Sequence, residues 1–150
     1  MRYEFGFGLT YTTFDFSSDL TIISPISADE NIPPRPPPLE IQPGGNPSLW
    51  EILYSVETTV HNTGAVPQLY VSFPDSTPSG TPPKQLRGFE KIELAAGQRG
   101  VVKFDLMRRD LSYWNVEEQT WVIPEGRFEL RVGRSSRDLV LTEGLTVVEA

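Results

Sequence analysis

The chain has 150 residues, enough for one domain with its own hydrophobic core, and it contains no cysteine, which excludes disulfides, thiolate nucleophiles and cysteine-ligated metal sites. Its 13 basic and 20 acidic residues give a formal net charge of −7, which disfavours nucleic acids and anionic membrane surfaces as partners. We therefore expect no nucleic-acid partner, no membrane partner, no metal and no cofactor.

Alternating apolar and polar residues predict short β-strands along most of the chain. The first is expected near residue 14, where Thr12, Phe14 and Phe16 alternate with polar residues. The clearest covers 50–61, where the even-numbered positions form an apolar face and Leu53 is the exception. Further strands are predicted at 69–73, 86–94, 102–106, 120–123, 128–132, 139–141 and 145–148. Such alternation is typical of antiparallel sheets with one buried face.

Turns and irregular segments separate these strands. A single helical turn is predicted over Arg108–Leu111, and turn residues include Glu143-Gly144. Two long stretches, 32–48 and 74–84, are rich in proline, which lacks a backbone donor and is excluded from a sheet interior. The sequence therefore predicts an all-β sandwich with Greek-key connections and long proline-rich loops.

The polar residues provide no strong catalytic candidate. His61 is the single histidine, lies on the polar face at a strand end, and is interpreted as a surface or turn residue. Pairs such as Asp105 with Asp110, or Glu117 with Glu118, have the residue types that glycoside hydrolysis needs. Because acidic side chains are mostly exposed, solvated surface charge is the favoured interpretation of these carboxylates.

Aromatic residues and the first proline-rich stretch leave alternatives open. Four rings are candidate sugar-stacking aromatics, although packing is the favoured reading: Trp50, Tyr113, Trp114 and Trp121. The segment 33–38, which contains Arg35, is either a polyproline ligand for another domain or a stiff surface loop.

Seven sequence blocks occur in a recognisable order. They are YEFGFGLTYTTF at 3–14, HNTG at 61–64, VPQLYV at 66–71, QLRGFEKI at 85–92, RDLSYW at 109–114, WVIPEG at 121–126 and VGRSSRDL at 132–139. Together they resemble the C-terminal fibronectin type III-like domain of glycoside hydrolase family 3 β-glucosidases, fungal branch. Relative to that family, the turn at 62–64 is followed by a shortened connection, with only Ala65 before the next strand.

The resemblance implies a fibronectin type III-like (immunoglobulin-like) antiparallel β-sandwich that serves as a non-catalytic accessory module. The implied parent enzyme hydrolyses terminal β-D-glucosyl residues of β-D-glucosides in cellulose breakdown. In that family the catalytic nucleophile and general acid belong to preceding domains with no counterpart here. No catalytic residue is therefore expected, and the chain alone is not expected to be an enzyme.

The resemblance also predicts a domain division and partners. Residues 1–9 correspond to the end of the preceding catalytic region, residues 10–150 form the fibronectin type III-like domain, and residues 33–48 are its proline-rich loop. The expected partners are the catalytic domains of the same parent, contacted by four apolar residues: Phe5, Phe7, Leu9 and Tyr11. The parent family is extracellular, although this chain shows no signal peptide. The alternative is a free-standing β-sandwich module that binds polysaccharide or protein.

Overall fold

The computed structural model describes most of the chain from residue 15 onward. The described ranges are 15–16, 20–24, 32–61, 66–90, 92, 94–95 and 97–147. Within them, regular structure consists of β-strands and two short 3-10 helices. No helix in these ranges has the length and apolar character needed to cross a membrane.

Ten strands are found in the described ranges. In chain order they are β1 (Asp15–Phe16), β2 (Thr21–Ile23), β3 (Ile52–His61), β4 (Gln68–Ser72), β5 (Gln85–Phe89), β6 (Arg99–Met107), β7 (Tyr113–Asn115), β8 (Thr120–Val122), β9 (Arg127–Ser135) and β10 (Asp138–Thr146). The 3-10 helices cover Pro47–Trp50, just before β3, and Arg108–Leu111, just after β6. The second of these confirms the helical turn predicted there.

The strands form two four-stranded antiparallel sheets and a small hairpin. In the first sheet, β3 pairs with β6 along one side and with β1 and β2 along the other. In the second, the order is β10–β9–β4–β5. Among the described strands, β7 and β8 pair only with each other. In chain order, they lie between β6 of the first sheet and β9 of the second. This architecture confirms the predicted all-β, antiparallel sandwich.

The core lies between the inward faces of the two sheets. Its wholly or almost wholly buried members include Leu53, Val56, Leu69, Val71, Phe104, Leu106, Phe128, Leu130 and Val132. The alternation predicted for β6 and β9 is confirmed, because Val102, Phe104 and Leu106 on β6 are buried while their neighbours face outward. Each such aliphatic or aromatic side chain contributes roughly 1.5–3 kcal/mol by its burial.

The predicted face of β3 is wrong at the start of the strand. Trp50 belongs to the first 3-10 helix and Ile52 is exposed, whereas Leu53, the expected exception, is wholly buried. The cause is an irregular register between Ile52 and Tyr54 opposite β6. An extra residue at such a bulge reverses which side chains face the core. From Tyr54 onward, Val56, Thr58 and Val60 are buried as predicted.

The turn predicted at Glu143-Gly144 is also wrong, since β10 continues through both residues as one strand paired with β9. A Cβ at Gly144 would collide with the guanidinium group of Arg127. This glycine therefore accommodates a neighbouring side chain and does not end the strand. Strand β5 ends at Phe89, short of the predicted end at residue 94.

Candidate functional site

The long connections converge at one end of the sandwich, which we call the loop end. It contains residues 32–51 before β3, residues 73–84 between β4 and β5, and residues 108–126 between β6 and β9. Strand β3 ends, and strand β4 begins, toward the opposite end. Because loops held by a rigid scaffold often carry function, the loop end is the natural place to search for a site.

Residues 32–46 of the first connection are called the strap, and they contact the domain at the loop end. Prolines leave its extended backbone with few donors, so its carbonyl groups accept bonds from the domain. The backbone N–H of Ile123 donates to the carbonyl of Pro34 (2.8 Å). The Arg108 Nη1 donates to the carbonyl of Pro33 (2.7 Å). These two bonds dock the start of the strap on the loop end.

An exposed ion pair adds a third attachment. The Arg35 guanidinium donates through Nε and Nη2 to both carboxylate oxygens of Glu118, with an Nη2–Oε1 distance of 2.6 Å. The hydrogen bonds and the positive charge of Arg35 lower the pKa of Glu118 below its ordinary value. Asn115 Nδ2 also donates to Glu118 Oε1 (3.3 Å), so the pair connects the strap to the hairpin of β7 and β8.

Asn46 fixes the far end of the strap. Its Oδ1 accepts the Ser48 backbone N–H (3.0 Å), which caps the first 3-10 helix, and its Nδ2 donates to the carbonyl of Pro37 (2.7 Å). A tight turn precedes it, in which Gly44 and Gly45 have φ values of 103° and 101° that favour glycine. The strap is thus folded onto its own domain, and Arg35 is occupied by Glu118. These contacts compete with the use of 33–38 as a polyproline ligand.

The anchoring residue Arg108 is 3% exposed. Its burial lowers the pKa of the guanidinium, and the partner carboxylate of Glu51, at 3.8 Å from Nη2, counteracts that effect. Its Nε has no hydrogen-bond partner among the described residues. The sequence reasoning missed Arg108 and the Arg35–Glu118 pair, because the partners lie 75 and 83 residues apart and no periodic pattern relates them.

Three of the four acidic residues considered for catalysis, Asp105, Asp110 and Glu118, have separate structural partners. Asp105 accepts the Ser55 hydroxyl (2.7 Å) on the outer face of the first sheet. Asp110 accepts the Met107 backbone N–H (2.9 Å), and its burial raises the pKa of its carboxyl. No group of three or more potential metal-ligating side chains occurs among the residues that the structure describes.

The four candidate aromatics fall into three places at the loop end. Trp114 and Trp121 face each other across the hairpin, with ring centroids 5.7 Å apart and planes at 71°. Trp50 carries the guanidinium of Arg109 over its ring at 5.2 Å. Tyr113 precedes Trp114 and so projects from the opposite face of β7. The rings therefore do not share one plane, and whether any of them binds sugar stays a prediction.

Tyr113 lines a cleft of about 260 Å³ between the strap, the loop after β4 and the turn before β9. The cleft is also lined by Pro34, Arg35, Ser76 and Glu125. The loop is held there because the Ser76 hydroxyl donates to the carbonyl of Glu125. A larger cavity of about 650 Å³ lies under residues 73–84, with Glu129 and Arg131 in its wall.

Several exposed apolar side chains surround these features. Ile41 is 79% exposed, Trp50 47%, Trp114 45% and Val116 72%. The four residues predicted to contact catalytic domains, Phe5, Phe7, Leu9 and Tyr11, lie outside the described residues. That prediction is therefore untested.

Comparisons with known proteins match the chain to parts of larger proteins. Residues 65–136 match the fibronectin type III-like domain family. The chain is 59% identical over 153 residues to the probable beta-glucosidase G of Aspergillus flavus, a match that covers 99% of this chain and 18% of that protein. It thus spans less than a fifth of that relative's length.

Solved structures give the same result. The beta-D-glucoside glucohydrolase of Trichoderma reesei matches with a TM-score of 0.83 and 42% identity, covering 97% of this chain and 20% of that one. A glycoside hydrolase family 3 beta-glucosidase of Neurospora crassa matches with a TM-score of 0.77 and 30% identity, covering 95% and 26%.

Proposed function

We propose that this chain is a non-catalytic accessory module that packs against the catalytic domains of its parent, because it belongs to the fibronectin type III-like domains of glycoside hydrolase family 3 β-glucosidases. The parent would hydrolyse terminal β-D-glucosyl residues of β-D-glucosides and act outside the cell. The domain division in this proposal is 1–9 for the preceding region and 10–150 for the module.

The observation that carries the proposal is the combination of this partial match with exposed apolar surface. The matched relatives are about four to six times longer than the stretch they share with the chain. Exposed apolar side chains are available for contact with another domain, among them Ile41, Trp50, Trp114 and Val116 at the loop end and Phe89 at the other end of β5. We therefore propose the loop end as one contact face and Phe5, Phe7, Leu9 and Tyr11 as a second.

The separate structural roles of the carboxylates support a non-catalytic role. Hydrolysis of a glycosidic bond needs two carboxyl groups about 5–10 Å apart around the substrate. Glu118 is paired with Arg35, Asp105 is bonded to Ser55, and Asp110 holds the Met107 backbone. Each of these three carboxylates thus makes a contact that stabilises the fold.

The alternative, a free-standing module that binds polysaccharide, has less support from the ring geometry. Flat platforms suit extended sugar chains, whereas Trp114 and Trp121 are perpendicular and Arg109 covers one face of Trp50. Retention of the chain on cellulose in a pull-down would favour this alternative.

A chimera tests the proposal. The matched portion of the Trichoderma reesei enzyme is replaced by this chain, once as the native sequence and once with Phe128→Ala. The substitution removes a wholly buried core side chain and lowers the free energy of unfolding of the module by about 3–5 kcal/mol. We expect the native chimera to hydrolyse an aryl β-glucoside and the Phe128→Ala chimera to lose heat stability and activity. The isolated chain should show no hydrolysis. Turnover by the isolated chain, or equal stability of the two chimeras, would refute the proposal.

A further inference from the structure

The cleft beside Tyr113 is lined by aromatic, proline and polar side chains, a combination that packing against a catalytic domain does not require. Three segments distant in sequence form it: the strap through Arg35, the loop after β4 through Ser76, and the hairpin and following turn through Tyr113 and Glu125. Hydrogen bonds between these segments maintain its walls, since Ile123 is bonded to Pro34 and Ser76 to Glu125. The cleft is thus built by the fold and does not depend on one mobile side chain.

The lining of the cleft combines apolar surfaces with unoccupied polar groups. The Tyr113 ring and the rings of Pro34 and Pro124 supply apolar wall. The described part of the chain supplies no hydrogen-bond partner for the Tyr113 hydroxyl, the Arg35 Nη1 or the Glu125 carboxylate. These groups can donate to and accept from hydroxyl groups on a ligand.

The charges around the cleft exclude some classes of ligand. Arg35 is neutralised by its two bonds to Glu118, so it does not present an uncompensated positive charge to a phosphate or carboxylate. Glu125 places a negative charge at the rim, which further disfavours anions. An uncharged ligand with one flat apolar face and hydroxyl groups at its edge fits both the lining and the charge. A pyranose ring has this chemistry.

We propose that the cleft between Arg35, Tyr113 and Glu125 is a binding site for one neutral sugar unit. The pyranose face lies on the Tyr113 ring, and its edge hydroxyls bond Arg35 Nη1 and the Glu125 carboxylate. The volume of about 260 Å³ is close to the lower end of ligand pockets, roughly 300 Å³, which suits a single ring. Because the site is open and small, a dissociation constant on the order of 1–10 mM is expected.

The test is an NMR titration of the 150-residue chain with cellobiose, followed through backbone amides. We expect saturable shifts at Ser76, Ile123 and Glu125, which surround the cleft, and no saturable shifts with sorbitol, which has the hydroxyl groups but no rigid ring face. Absence of saturable shifts with cellobiose, or equal shifts with sorbitol, would overturn the proposal.

Two variants on opposite faces of one strand locate the binding. Tyr113→Leu removes the ring in the cleft, and Trp114→Leu removes the neighbouring ring that faces Trp121. We expect Tyr113→Leu to weaken binding at least tenfold and Trp114→Leu to bind like the native chain. The reverse order would place sugar on the other face of the hairpin and refute the proposal. Because Glu125 is exposed, Glu125→Ala removes the accepting carboxylate without endangering the fold, and an unchanged affinity in that variant would refute the assigned bond.

Discussion

At the residue scale, two glycines of the second sheet lie where an added Cβ would clash, one against backbone atoms and the other against a side chain. A Cβ on Gly133 in β9 would collide with the carbonyl oxygen of Asp138 and lie 2.7 Å from the Cα of Leu139. These are backbone atoms at the register irregularity between β9 and β10. A Cβ on Gly144 in β10 would instead meet the guanidinium of Arg127, which is the end of a flexible, exposed side chain.

This difference predicts responses of different size to the same substitution. Gly133→Ala should lower the free energy of unfolding by about 1–3 kcal/mol, because backbone must move to accommodate the methyl group. Gly144→Ala should change it by less than about 0.5 kcal/mol, because the Arg127 side chain can rotate into solvent. Urea unfolding followed by tryptophan fluorescence measures both. Equal destabilisation by the two variants would contradict the assignment of Arg127 as a yielding neighbour.

At the element scale, the sequence predicts the buried face of a strand well where buried and exposed residues alternate. The prediction fails where one packing contact sets the register of a strand or the position of its end. The apolar stripes of β6 and β9 correspond directly to the buried face. The bulge at the start of β3 and the continuity of β10 depend on packing that residue periodicity does not encode. The position of the strap depends on Arg35, Arg108 and their distant partners. The sequence therefore identified aromatic residues that the fold places at the loop end, whereas the contacts that assemble the loop end could not be predicted from it.

The strap also yields a pH prediction through Glu118. Its pKa in the folded chain lies below the ordinary 4.5, so the charged carboxylate favours the docked strap above that pH. This contribution is lost as the pH falls through the lowered pKa. The amide proton of Ile123, bonded to Pro34, reports docking by its NMR chemical shift. We expect no change in that shift between pH 7 and pH 5 and a movement only at lower pH.

Neighbouring glutamates provide the matched comparison for this titration. Glu118→Gln should displace the Ile123 amide shift already at pH 7 and abolish its movement at low pH, whereas Glu117→Gln should behave like the native chain. Added salt should weaken docking in the native chain, because the Arg35–Glu118 pair is exposed to solvent. A native-like profile in Glu118→Gln would show that the two backbone bonds alone hold the strap.

At the scale of the whole molecule, the two ends of the sandwich have different surroundings. The loop end carries the strap, the hairpin and the exposed rings of Trp50 and Trp114, whereas the exposed Phe89 lies toward the opposite end. Strand β1 begins beside His61, at the opposite end of β3. In the proposed parent, a contact at the loop end is therefore made at the other end of the sandwich from the point where β1 enters the first sheet.

The proposed contact through Phe5 and Phe7 predicts that these rings stabilise the parent and not the isolated module. In the 150-residue chain, the double substitution Phe5→Ser with Phe7→Ser should leave the melting temperature unchanged and increase solubility, because the proposal assigns these apolar rings to a contact with another domain and not to the core. In the chimera with the Trichoderma reesei enzyme, the same double substitution should lower it. Phe128→Leu serves as the core control, because Phe128 is wholly buried and its shortening should destabilise both proteins by about 1 kcal/mol. A fall in the melting temperature of the isolated chain comparable with that of Phe128→Leu would assign the two rings to the module's own core, and the contact with the catalytic domains would then have to be made by the loop end alone.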